Sequence, residues 1–259
     1  NIVESKQFTD QKNGNFFIRQ SFTLHNENML PNLKNNLEDL AKKLKADFFL
    51  SEIESPMNTI MLVSKFDHCL NDILFRVRNN SLNLKIKAVV SNHKIAKEIA
   101  NFSKIPFYYL PIEKSNKFAQ EKKLKKIIYN NDVELIVLAR YMQVLSEGLT
   151  NEYAGKIINI HHSFLPSFKG AKPYHQAFDR GVKVIGATAH YVTKDLDEGP
   201  IIEQDTQEVN HEMMPNDLVL MGRDIESRVL YRALKAHSEK RVFLNGKRTI
   251  VFKGQRISG

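Results

Sequence analysis

Most of the chain after residue 58 alternates between short apolar runs and segments with helical spacing. Five runs are apolar almost throughout, at residues 59–63, 86–90, 107–110, 135–139 and 156–160. Strands of this composition are typical of a parallel sheet that helices cover on both faces. The pattern therefore predicts the α/β fold class, and sheets of this kind bind ligands at the carboxyl ends of their strands.

The last third of the chain predicts two more strands, a long helix and a hairpin. The strands are expected at residues 186–192 and 200–204. Pro215 suits the first turn of the helix, because proline has no N–H to leave unpaired there. The buried stripe of this helix is formed by Leu218, Met221, Ile225 and Val229. Residues 242–251 are expected to form a hairpin around an Asn-Gly turn.

Residues 1–56 predict a smaller α+β unit. Residues 16–24 and 48–53 are rich in aromatic and branched side chains and are predicted as strands. Between them, a helix starts at Pro31, and its apolar stripe is formed by Leu33, Leu37, Leu40 and Leu44. The Ser-Pro-Met-Asn sequence that follows is typical of a joint, so residues 57–259 are predicted as a second domain.

The composition excludes several classes of protein. Hydrophobic residues make up 42% and charged residues 26% of the chain, which excludes general disorder. No apolar stretch approaches the roughly 18 residues of a membrane span, and no basic-then-apolar leader opens the sequence. Cys69 is the single cysteine, which excludes an intrachain disulfide and disfavours a cysteine-based zinc site. These features favour a reducing, cytoplasmic location.

The net charge of +9 is concentrated near the carboxyl end of the chain. Residues 232–259 hold eight basic residues and a single acidic one. A nucleic-acid partner is one interpretation, and a solvated basic surface is the other. Because no aromatic residues are interleaved with the lysines in a known binding motif, the sequence favours the second, with no nucleic acid bound.

The densest polar cluster lies at residues 159–166, directly after an apolar strand. Asn159 and His161 are two residues apart, so their side chains point to the same side of that strand. An amide donor and an imidazole aimed at one point can polarise a carbonyl group. The alternative is a pair of histidines satisfied in a turn. Because His162 faces the other way, the cluster disfavours a two-histidine metal site.

Two weaker features accompany this cluster. The acidic segment at residues 196–200 has the composition of an ordinary turn, and Asp197 matters only if the fold brings it to His161. Residues 139–145 follow a predicted strand, and on periodicity alone they are interpreted as ordinary core.

Four ordered motifs resemble the folate-dependent formyltransferases, and most of all the deformylase branch of that family. They read NIHHSFLP at 159–166, GAKPYHQA at 170–177, GATAHYV at 186–192 and LDEGPII at 196–202. The resemblance extends from about residue 58 to residue 250 and implies a Rossmann-like formyltransferase domain with a mostly parallel sheet. The catalytic Asn–His–Asp trio of the family matches Asn159, His161 and Asp197.

The resemblance also implies which residues bind the folate. They are Arg140, Tyr141, Met142, Gln143, Val144, Leu145, Leu196, Glu198 and Gly199. Related transformylases commonly place an arginine where Gln143 stands, so Arg140 is the candidate for the contact with the glutamyl carboxylate of the folate.

The resemblance to deformylases implies hydrolysis of 10-formyltetrahydrofolate to formate and tetrahydrofolate, which supplies formate for purine biosynthesis and balances the folate pool. No metal or other cofactor is expected, because the folate derivative is the substrate. Transformylases hold the phosphate of their acceptor with a Gly-rich loop. The corresponding residues 63–70, VSKFDHCL, contain no glycine. The alternatives are formyl transfer to an amine acceptor and a non-catalytic regulator that binds formyl-folate.

The first 55 residues resemble the later part of an ACT domain, a ferredoxin-like α+β regulatory module that these deformylases carry. The first strand and helix of that module are absent from the sequence, so the domain is expected to be incomplete. The resemblance implies an amino-acid effector and a homo-oligomer.

Overall fold

The computed structural model of the protein describes residues 1–113, 116–166 and 173–254. The chain forms two compact units. The larger is Pro56–Val251, and the smaller combines Asn1–Ser55 with the described residues 252–254. The boundary at Pro56 lies at the predicted joint. Residues 252–254 differ from the prediction, because they belong to the smaller unit, where Lys6 Nζ donates a hydrogen bond to the carbonyl of Lys253.

The smaller unit is a hairpin followed by a helix. Strands β1 (Ile2–Thr9) and β2 (Phe16–Phe22) pair in antiparallel fashion. Helix α1 (Leu30–Leu44) has the predicted proline in its first turn and ends at Lys45, whose φ is 52°. The prediction of a strand at residues 48–53 is wrong, because the structure has no regular strand there. Aromatic and branched side chains favour an extended backbone, but a strand also requires a neighbouring ladder.

The larger unit is built on a seven-stranded sheet in the order β5-β4-β3-β6-β7-β8-β9. Its strands are β3 (Met57–Val63), β4 (Leu84–Ser91), β5 (Phe107–Tyr109), β6 (Leu135–Leu138), β7 (Ile157–His161), β8 (Val184–Tyr191) and β9 (Ile201–Glu208). The first five pair in parallel, while β8 and β9 are antiparallel to their neighbours. The predicted α/β fold with a mostly parallel sheet is therefore confirmed.

Helices cover both faces of this sheet. They are α2 (His68–Arg78), α3 (Lys97–Phe102), α4 (Lys117–Asn130), α5 (Glu147–Glu152), α6 (Pro173–Asp179) and α7 (Pro215–Ser238). Two cores result: Ile158 and Ile160 of β7 belong to the core that includes α7, while Ile157 belongs to the core that includes α4. Because side chains alternate along a strand, Asn159 and His161 point to the same face as Ile157. None of the described helices is both long and apolar enough to cross a membrane.

The predicted hairpin near the carboxyl end is confirmed, with a shift of its turn by one residue. Strands β10 (Val242–Asn245) and β11 (Arg248–Val251) pair, with Asn245 opposite Arg248. The two turn residues are therefore Gly246 and Lys247 rather than Asn245 and Gly246. A φ of +61° at Gly246 explains this, because a first turn residue with positive φ favours glycine.

A histidine in the last turn of α7 makes the stability of the larger unit sensitive to acid. Burial lowers the pKa of His237 to about 4, and its Nδ1 lies 2.7 Å from the Tyr191 hydroxyl. In the unfolded state this histidine has its ordinary pKa, so it binds a proton at a higher pH than it does in the folded state. We expect the free energy of unfolding to decrease between about pH 6.5 and 4, with His237 contributing up to about 3 kcal/mol. His237→Gln should flatten this dependence in urea titrations, whereas exposed His211→Gln should not; equal slopes would contradict the assignment.

Candidate active site

The ladder between β7 and β8 brings four polar side chains to one face of the sheet. Asn159 pairs with His190, and His161 pairs with Thr188. Paired residues of antiparallel strands project to the same side. The face that carries the predicted amide and imidazole therefore also carries a second imidazole and a hydroxyl.

The third predicted residue reaches this face from the loop after β8. Because β8 is antiparallel to β7, that loop starts beside Ile158, near the beginning of β7. It must fold back to reach His161 at the end of that strand. Gly199 permits the return, since a Cβ there would lie 1.7 Å from the carbonyl oxygen of Tyr191. Asp197, at a φ of 56°, then places Oδ1 3.3 Å from Nδ1 of His161. The structure thus brings Asn159, His161 and Asp197 together.

The contacts of Asp197 and His161 determine which of their atoms are ionised and which are free to bind. The hydrogen bond from His161 is the largest cause that holds the pKa of Asp197 well below its usual range, against the opposing effect of burial. The His161 side chain is buried, with 5% exposure, and its Nε2 has no hydrogen-bond partner among the described residues. An ionised carboxylate therefore holds Nδ1, which leaves Nε2 available to a bound molecule.

His190 orients the amide of Asn159. Its Nδ1 lies 2.9 Å from the carbonyl oxygen of Tyr191, which can only accept, so Nδ1 carries the proton. In the neutral ring, Nε2 then accepts from Nδ2 of Asn159, at 3.2 Å. The second N–H of that amide remains for another acceptor. The same Nε2 lies 3.7 Å from Oδ1 of Asp197.

Sequence reasoning missed His190 and Thr188. Thr188 Oγ1 donates to the Ser163 carbonyl at 2.9 Å and accepts from the Leu165 N–H at 3.1 Å, which fixes the chain directly after His161. One signal was present in the sequence. Within the buried strand β8, the polar side chains of Thr188 and His190 lie two residues apart among alanines, and this alternation marks one polar face.

The predicted folate-binding residues divide into exposed and buried sets. Met142, Val144 and Leu196 are more than half exposed, although their side chains are apolar. Gln143 and Leu145 are half-buried and Glu198 is exposed, whereas Tyr141 and Gly199 are buried. Burial raises the pKa of Tyr141 to about 12, and its hydroxyl lies 3.2 Å from Nε2 of Gln120. The exposed apolar side chains have the chemistry to contact an aromatic ligand, while Tyr141 belongs to the core.

Arg140 belongs to a buried polar cluster on α7. Its Nε lies 3.2 Å from Oε2 of Glu226, and its side chain is 9% exposed. His68 Nε2 lies 2.8 Å from the same carboxylate, and the Tyr174 hydroxyl donates to it at 2.7 Å. We call these four residues the Glu226 cluster. Nη1 of Arg140 has no hydrogen-bond partner among the described residues, so the guanidinium keeps a donor for the predicted contact with a folate carboxylate.

Two further points concern the predicted site. The ligand atoms of His68, Cys69 and Glu226 lie within 4.8 Å of one another, a spacing that could hold a metal ion. The positive charge of Arg140 already lies against the Glu226 carboxylate, so it would repel a metal cation bound there. Residues 170–172 of the second motif lie outside the described residues.

The chain is similar to proteins of known activity over nearly its whole length. The formyl transferase family model matches residues 57–234. The formyltetrahydrofolate deformylase of Corynebacterium sp. strain P-1 is 47% identical over 97% of this chain and 88% of its own length. That of Bacillus subtilis is 42% identical over 97% of this chain and 85% of its own length.

Solved structures of deformylases are similar to this chain, and so, less closely, are those of transformylases. The formyltetrahydrofolate deformylase of Burkholderia mallei has a TM-score of 0.94 and 44% identity, covering 98% of this chain and 90% of its own. Glycinamide ribonucleotide transformylase 1 of Symbiobacterium toebii has a TM-score of 0.72 and 26% identity, covering 80% and 98%. The fold and site thus define a member of the formyl transferase family. Within it, the chain belongs to the formyltetrahydrofolate deformylases.

Proposed function

We propose that this chain hydrolyses 10-formyltetrahydrofolate to formate and tetrahydrofolate at the site formed by Asn159, His161 and Asp197. The observation that carries the proposal is the pair of His161 and Asp197, which leaves a buried Nε2 with no hydrogen-bond partner among the described residues and an oriented amide two residues away. Binding of a folate alone would not require this arrangement, which argues against a non-catalytic regulator.

The chemistry needs both oxyanion support and proton transfer. The oxygen of water bonds to the formyl carbon, and the carbonyl oxygen becomes an oxyanion. The free N–H of Asn159 donates to that oxyanion, and one such donor is worth roughly 3–4 kcal/mol in other acyl-transfer enzymes. Protonated His161 donates from Nε2 as well, and then gives its proton to N10 as the C–N10 bond breaks.

Asp197 accepts a proton from the attacking water. Because its pKa is held well below the usual range, it does not keep that proton. The neutral His161 that remains after N10 has been protonated is the acceptor, at a distance of 3.3 Å. The transfer restores the starting charges, and formic acid loses its remaining proton to solvent.

The choice of water as acceptor is supported by the comparisons as well as by the sequence. Deformylases are 40–47% identical to this chain over nearly its whole length, whereas the transformylases of similar fold are 26–28% identical. The loop after β3 also has no glycine.

Product analysis tests the proposal. Purified protein is incubated with 10-formyltetrahydrofolate, with and without glycinamide ribonucleotide. We expect formate and tetrahydrofolate in equal amounts, and no formylated amine under either condition. Formate that appears only with the amine absent, together with formylated amine in its presence, would indicate a transferase. Binding without turnover would indicate a regulator.

We also propose that hydrolysis needs no metal or cofactor, because the trio itself supplies the oxyanion donor and the proton carriers. Dialysis against EDTA is expected to leave kcat unchanged. A loss of activity that zinc or another divalent cation restores would contradict this and would direct attention to His68, Cys69 and Glu226.

Several finer statements stay predictions from the sequence. They are the supply of formate for purine biosynthesis, the cytoplasmic location, the absence of a nucleic-acid partner, the homo-oligomer and the amino-acid effector. Light scattering of the purified protein, repeated with a panel of amino acids, checks the last two.

A further inference from the structure

A row of three side chains crosses the last three strands of the sheet, on the face that carries Asn159. His161 of β7 pairs with Thr188 of β8, and Thr188 pairs with Gln204 of β9. Paired residues of antiparallel strands project to the same side, with their Cβ atoms about 5 Å apart. The row therefore starts at the imidazole of the proposed site and ends at an amide two strands away.

The amide nitrogen of Gln204 faces two oxygens that accept from it. Nε2 lies 3.2 Å from the carbonyl oxygen of Leu165 and 2.9 Å from Oγ1 of Thr188. A carbonyl oxygen has no proton to donate, and the Thr188 hydroxyl gives its single proton to the Ser163 carbonyl, at 2.9 Å. Both N–H groups of the Gln204 amide are therefore donors in this network.

The hydroxyl of Thr188 has no hydrogen-bonding capacity left. Besides the bond that it donates, it accepts from the N–H of Leu165 at 3.1 Å and from Gln204. A hydroxyl has one donor and two acceptor positions, so all three are occupied. Because Thr188 is fully buried, the loss of a partner would leave a polar atom unsatisfied away from water.

This network holds the chain directly after the proposed site. Ser163 and Leu165 are buried, and their backbone groups form hydrogen bonds with the side chains of Thr188 and Gln204. His161 is the last residue of β7, so its backbone has the strand on one side and residues 162–165 on the other. A shift of these residues would move the imidazole, and a displacement of about 1 Å at a reacting group can lower a rate about 100-fold.

We propose that Gln204 is a positioning residue for the hydrolysis. Through Thr188 and residues 163–165, it holds the imidazole of His161 where Nε2 can donate to the substrate. The inference rests on the proposed hydrolysis and adds a residue from outside the trio. Among the described residues, the side chain of Gln204 forms no hydrogen bond with Asn159, His161 or Asp197, so it acts only through the chain that it holds.

Gln204→Glu tests this proposal, because it keeps the size of the side chain and removes both donors. The new carboxylate would face two acceptor oxygens, so the chain after His161 should shift. We expect kcat for formate release at about pH 8 to fall at least about tenfold, with KM within about threefold of wild type. The two acceptors should also raise the pKa of the new carboxyl group, whose protonated form can donate one bond again. The deficit relative to wild type should therefore shrink between about pH 8 and about pH 6.

Gln207→Glu is the matched control, because it makes the same change in charge at an exposed position of the same strand. Its kcat should equal that of the wild type at each pH. Gln204→Met is the second variant, since it keeps the length of the side chain, removes the donors and adds no charge. Its kcat should also fall at least about tenfold, and by the same factor at every pH.

Thermal unfolding establishes which variants fold, and Gln204→Met keeps the test open if Gln204→Glu does not. A folded variant of either kind whose kcat stays within about threefold of wild type at every pH would overturn the proposal. A deficit of Gln204→Glu that Gln207→Glu shares would also overturn it, because it would be an effect of charge. So would a deficit of Gln204→Glu that does not change with pH. Formate release by the wild type tests the hydrolysis separately.

Discussion

Replacing Asp197 with asparagine is expected to lower kcat about 1,000-fold, comparable to the roughly 10⁴-fold loss when a triad aspartate is amidated. The amide has the shape and the hydrogen-bonding reach of the carboxylate, but it is neither charged nor basic. It can hold a turn, and it cannot accept a proton from water or stabilise an imidazolium. The 3.3 Å contact with His161 and the strongly lowered pKa of the carboxyl indicate a carboxylate that stays ionised and stabilises the imidazolium.

The control is Glu198→Gln, one residue further along the same loop. Glu198 is exposed and belongs to the predicted folate-binding set rather than to the trio, so its loss in kcat should be small. Both variants are measured by formate release, with circular dichroism to confirm folding and fluorescence titration to measure folate binding. An Asp197→Asn enzyme that retained more than about a tenth of wild-type kcat would remove the carboxylate from the mechanism.

Replacing His161 with alanine is expected to lower kcat at least about 100-fold. The change removes the proton donor to N10 and part of the oxyanion support. Folate binding should be largely retained, because the exposed apolar side chains that are predicted to bind the folate lie outside the trio. The effect should therefore appear in kcat rather than in KM.

His162→Ala is the matched control for this variant, since it removes the neighbouring ring. The pKa of His162 is lowered to about 3, so its ring is neutral at pH 7 and is not the acid that protonates N10. Its kcat should fall far less than that of His161→Ala. Equal losses in the two variants would show that the His161 effect is structural.

The fold was largely predictable, because each strand of the parallel sheet is an apolar run bounded by polar residues. The direction of β8 was not predictable from periodicity, since a buried strand has the same composition in either orientation. The contact between Asp197 and His161 depends on that direction and on the return of the loop at Gly199. Only the resemblance to a family, not the residue pattern, connected these two residues.

The Glu226 cluster shows a second reason why some contacts could not be predicted from the sequence. Glu226 lies among the apolar positions of α7, and its partners His68 and Arg140 are 158 and 86 residues away in the sequence. A buried charge at such a position signals a partner, but periodicity does not identify which one. Sequence reasoning interpreted residues 139–145 as ordinary core from their pattern and as folate-binding from the resemblance. The structure places Arg140 in a buried ion pair with Glu226, and its contact with the folate stays a prediction.

Hydrolysis in ¹⁸O-labelled water tests the central claim most directly. If water attacks the formyl carbon at this site, each formate formed in a single turnover must contain one labelled oxygen, and tetrahydrofolate must appear in the same amount. Addition of glycinamide ribonucleotide should change neither quantity. Unlabelled formate, or a formyl group recovered on the amine, would contradict hydrolysis by the Asn159, His161 and Asp197 site.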